Sequence, residues 1–140
     1  MKLYLAGPMR GIAKMNFPAF DAGAEILVAL GHDVFSPAQR DRDHGLDVSG
    51  LTGDEHHDDY GFDLRAALAD DLDFICRQAD GVIVLPGWVT SLGAKAEVAA
   101  AGALGIPVWR LYEFADGKRI RMTGKLERSD SDRSGRTHPA

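Results

Sequence analysis

The chain has 140 residues, 45% of them apolar, and 21 acidic residues against 16 Lys and Arg give it a formal net charge of −5. That length supports one core and one domain, and the acidic balance excludes a general electrostatic grip on a nucleic-acid backbone, leaving small ligands or protein partners. A single cysteine, Cys76, excludes an internal disulfide framework and a thiolate metal cage; with no stretch near the ~20 apolar residues of a membrane span and no signal-peptide pattern, a cytoplasmic protein without membrane contact is expected.

Residues 2–6 read as a short apolar strand broken at GPMRG, where Gly7, Pro8 and Gly11 supply turn geometry. A helix starts at about Asn16, its N-cap, with Phe17, Phe20, Ala24, Leu27 and Val28 on one face and Gly31 as its stop. HDVFSP is the second strand. Pro37 then opens a polar stretch to about Gly61 with no apolar period, read as a loop or ordered lid. Asp63 caps a helix over 64–79, and DGVIVLP is a continuous apolar strand of the kind buried on both faces of a parallel sheet. A helix over 91–104 and the strand IPVWRLY complete the alternation. The pattern predicts an α/β fold, a Rossmann-like three-layer sandwich with a small, mostly parallel sheet, over 1–112. Residues 113–140 form a polar C-terminal extension, partly disordered or contacting a second subunit.

Two acids break the helical pattern. At about 100° per residue, Ala67, Leu68, Leu72, Phe74, Ile75 and Ala79 fall within an arc of roughly 160° with Leu64, and Asp71 lands near its middle while Asp70 and Asp73 point away. The next helix places Ala94, Val98, Ala101 and Leu104 on one side, with Glu97 among them. A carboxylate aimed inward must find hydrogen-bond donors or accept a raised pKa, a cost that a functional site explains.

Open parallel sheets bind ligands beyond the carboxyl ends of their strands. GPMRG and PGWVTSLG both leave such ends. Ser91 and Gly93 also begin a helix, so its first N–H groups, the Ser91 hydroxyl and Arg10 form a candidate anion site. Other features read as structural. DEHHDDY at 54–60 lacks accepted metal-ligand spacing, so no metal or cofactor is expected. Cys76 reads as a small filler at the margin of its helix's apolar arc.

YLAGPMRG, DLRAALADDL and LPGWVTSLGAKAEVAAAGALGIPV together resemble the nucleoside 2-deoxyribosyltransferase-like family, including its 2′-deoxynucleoside 5′-phosphate N-hydrolase branch, over about residues 1–109. The resemblance implies a Rossmann-like fold, a nucleophilic Glu97 that forms a covalent deoxyribosyl ester, and Asp71 as the second acid, orienting the nucleophile or handling the proton of the leaving base. It also implies a substrate held by Gly7, Pro8, Met9, Arg10, Gly11, Ser91 and Gly93, with Tyr4 or Trp88 against the base. GPMRG lacks the hydroxyl residue that the hydrolases use in this loop. The implied partners are a small nucleotide or nucleoside and further copies of the chain, in a homodimer or larger homo-oligomer. Two other expectations stand beside it: a glycohydrolase acting on a ribosylated dinucleotide or signal, and a non-catalytic nucleotide-binding or sensing module.

Overall fold

The computed structural model describes residues 1–122; the tail expected to be disordered or subunit-contacting lies, from residue 123 on, outside the described residues. Four strands, β1 (Lys2–Ala6), β2 (Asp33–Phe35), β3 (Gly81–Val84) and β4 (Val108–Arg110), form one sheet in the order β2-β1-β3-β4. Every pair is parallel, with Leu3 opposite both Val34 and Gly81, and Val82 opposite Val108. β1 and β3 are central and covered on both faces, which is why their residues form apolar runs without alternation.

Helices complete three layers. On one face α1 (Phe17–Ala29) and α5 (Leu111–Ala115) pack Phe17, Phe20, Leu27, Leu111 and Phe114 against Leu3, Leu5, Ile83 and Trp109. On the other, α3 (Leu64–Arg77) and α4 (Leu92–Ala103) pack Ile75, Ala94, Val98 and Ala101 against Tyr4, Ala6, Val82 and Val84. The α/β sandwich expected from the sequence is what forms, with its sheet wholly parallel.

Several local expectations are corrected. IPVWRLY is a strand only through Arg110, because Leu111 begins α5. The polar stretch from Pro37 is not all loop: Ser36 and Pro37 start α2 (Pro37–Asp43), and His57–Tyr60 is a 3-10 turn. Its buried face consists of Pro37, Ala38 and Asp41, too little apolar surface to show a period. Asn16 does not cap α1 by its side chain. It ends a left-handed run with Lys14 and Met15 (φ 60, 55 and 52), and its Nδ2 donates to Pro8 O at 2.8 Å. Val28, Leu64 and Leu104 are exposed because they lie at the rims of their apolar arcs or at helix ends, and Cys76 is exposed instead of filling the interior.

Candidate active site

The loops leaving β1, β2 and β3 meet beyond the strands' carboxyl ends around a cavity of about 140 Å³. Gly7, Met9, Arg10, Ser91, Gly93, Asp71 and Glu97 all line it, joined by Asp41, His57, Tyr60 and Phe62. Ser91 caps α4, its Oγ accepting from Ala94 N at 3.1 Å, so its hydroxyl hydrogen and the N–H groups of Leu92 and Gly93 are available for an anion. At Gly93 an added Cβ would meet only Ser91 Oγ, at 3.9 Å; the missing side chain leaves the cradle open.

Glu97 and Asp71 point inward as their helical spacing requires, 5% and 7% exposed. The Tyr4 hydroxyl donates to Glu97 Oε2 at 2.7 Å, and Asp71 interacts with both groups while its Oδ1 stays buried without a hydrogen-bond partner. Burial is the first cause that raises Glu97 to about 8; the Tyr4 hydroxyl opposes it, and the charge of Asp71 adds to it. Burial likewise raises Asp71 to about 7, reinforced by Asp41. Tyr4 is pushed well upward by burial and by the two acids, so it keeps its proton and is the donor.

The remaining expected site residues are distributed differently. Tyr4 is fully buried and stacks on Phe35 (centroids 5.6 Å apart), so it meets the site with its hydroxyl, not its ring face. Trp88 is 2% exposed in the core against α4 and does not line the cavity. Pro8 is buried within the first loop and does not line the cavity, and Gly11 ties that loop to the segment between β2 and α3 through its N–H to Gly53 O at 2.8 Å.

Asp41 was not foreseen. It is 3% exposed, its Oδ1 lies 3.3 Å from Arg40 Nη1, and burial raises it to about 6. Arg40 is anchored to Asp70 of α3 by Nη2 at 2.6 Å and Nε at 2.9 Å. Ser36-Pro37 as a helix start, with Pro37, Ala38 and Asp41 on one face, was the available signal. For metals, the ligand atoms of His56, His57 and Asp58 lie within 4.8 Å of one another. These are consecutive side chains, and His56 Nδ1 already accepts from Asp58 N at 3.2 Å.

Residues 1–110 match the family model described as "Domain of unknown function (DUF4406)", and the chain belongs to that family. No curated protein matches it. Its fold is similar to a solved 2-deoxyribosyltransferase from the psychrotolerant bacterium Bacillus psychrosaccharolyticus, with a TM-score of 0.54 and 24% identity over 79% of this chain and 71% of that one. Among the described residues no helix is long and apolar enough to cross a membrane.

Proposed function

We propose that the protein cleaves the N-glycosidic bond of 2′-deoxynucleosides or their 5′-monophosphates, by hydrolysis in preference to base transfer. The observation that carries this reading is the buried triad of Tyr4, Glu97 and Asp71 on a cavity that also contains the N-terminus of α4. Tyr4 occupies Oε2 of Glu97 and leaves Oε1 to attack C1′. As the C1′–O bond forms, the C1′–N bond breaks and its electron pair goes to the base, which takes a proton from Asp71. Water then attacks C1′, Asp71 accepts its proton, and the sugar leaves with Glu97 regenerated. The 2-deoxyribosyltransferase named on the similar fold supports the same class of bond cleavage. Ser91, Gly93, Gly7 and Arg10 would hold a 5′-phosphate.

Deoxynucleoside monophosphates, deoxynucleosides, ribonucleotides and a dinucleotide are incubated with the protein and free base is measured by chromatography. Release from deoxy substrates is expected. Release from the dinucleotide alone would redirect the reading to a dinucleotide glycohydrolase, and binding without release to a sensing module. Glu97→Ala is expected to lower kcat by about 10³-fold or more while circular dichroism stays unchanged; undiminished turnover removes Glu97 from the nucleophile's role.

A further inference from the structure

Beside His57, the segment between β2 and α3 brings to the cavity three further polar or aromatic side chains that the reaction above does not use: Asp41, Tyr60 and Phe62. The rings of Tyr60 and Phe62 stack with centroids 6.1 Å apart and planes inclined by 29°. The same three residues border a second hollow of about 500 Å³, so space continues beyond them. Asp41 therefore completes a set of three buried carboxyl groups on one cavity. Arg10 is the only Lys or Arg among the described lining residues. Arg40 reaches Asp41 through one nitrogen and spends two others on Asp70. The charge of Asp41 acts unfavourably on the carboxylates of both Asp71 and Glu97, while that of Arg40 favours the carboxylate of Asp71.

Resting on the glycosidase reading, we propose that this cavity selects N-glycosides whose base carries a positive charge, such as an N-alkylated purine or a pyridinium, with Tyr60 and Phe62 meeting the ring and Asp41 its charged edge. An aromatic face and a poorly solvated carboxylate are the two surfaces that attract a flat organic cation. A neutral base gains neither attraction. The chemistry agrees with the recognition. When Glu97 Oε1 bonds to C1′, the electron pair of the breaking C1′–N bond cancels the charge of the ring, and the base departs neutral without taking a proton.

The test uses two pairs of probes that lack a glycosidic bond, so binding to the full chain is read without turnover: 7,9-dimethylguaninium against 9-methylguanine, and N-methylnicotinamide cation against nicotinamide. Calorimetric titration is expected to show each cation bound about tenfold or more tightly than its neutral partner. In Asp41→Asn the ratio should fall to about threefold or less. Phe62→Leu, which leaves the acids in place, should also reduce it and provides the answer if Asp41→Asn does not fold. Equal affinities, no binding of either cation, or a ratio unchanged in the folded variants overturns the proposal. Cation selectivity without base release from any deoxynucleotide, N7-methylated ones included, retains the cation recognition and removes the glycosidase reading; base release without selectivity does the reverse.

Discussion

Tyr4 does two jobs with two ends of one side chain. Its ring packs against Phe35 and Phe74, and its hydroxyl holds Glu97 Oε2 at 2.7 Å. Hydrogen bonds to charged groups contribute about 1.5–3 kcal/mol, so Tyr4→Phe should lower kcat by about 10- to 100-fold with little change in fold. A donor favours the carboxylate over the acid, and its loss allows burial and Asp71 to push Glu97 higher still. The ascending limb of the pH profile of kcat/KM should therefore move to higher pH in the variant. An unmoved limb would show that the hydroxyl does not govern the ionisation of Glu97. Asp71 and Glu97 were legible in the sequence because each sits among apolar residues at helical spacing. The role of Tyr4 was not, since an apolar run says which residues are buried but not which acid of a covering helix a hydroxyl will meet.

At the scale of elements, the cavity depends on how the segment between β2 and α3 is held over the first loop. Gly11 N donates to Gly53 O and Lys14 N to Leu51 O, each at 2.8 Å. Gly53 has φ +99, and a Cβ there would lie 2.3 Å from Ile12 O and 2.4 Å from Ile12 N, both backbone atoms with no rotamer to yield. Gly53→Ala should cost about 1–3 kcal/mol and act by loosening this segment. Raised KM with kcat better preserved, and faster proteolysis between residues 44 and 56, are the expected readouts. Unchanged KM would mean that the segment does not shape the bound state. This region is also where sequence reading stopped. α1, α3 and α4 announce themselves by apolar periodicity and the central strands by unbroken apolar runs, whereas α2 buries one proline, one alanine and one aspartate. A helix whose inward face ends in a carboxylate looks, by composition, like solvated loop. Tyr60 and Phe62 escaped for the same reason, since single aromatics in a polar stretch show no period.

For the whole molecule, two apolar cores flank the sheet while the three buried acids gather on one cavity, so stability and the proposed reaction should respond to pH through the same groups. Asp41, Asp71 and Glu97 are raised to about 6, about 7 and about 8, whereas in the unfolded chain carboxylates titrate near ~4. Between those limits the native state binds more protons than the unfolded state, which makes the derivative of unfolding free energy with pH negative. The stability these three groups contribute should be complete below pH ~4, fall as pH rises through the three folded values, and level off above them. Glu97→Gln supplies a permanently neutral group of similar shape; it should flatten the fall and be more stable than the parent at pH ~8 although inactive. Urea unfolding at several values between pH ~5 and ~8 measures both curves. A parent whose stability climbs across that range would mean that these carboxylates are solvated or paired in solution, and the site would then lack the dehydrated acid pair on which the proposed nucleophile depends.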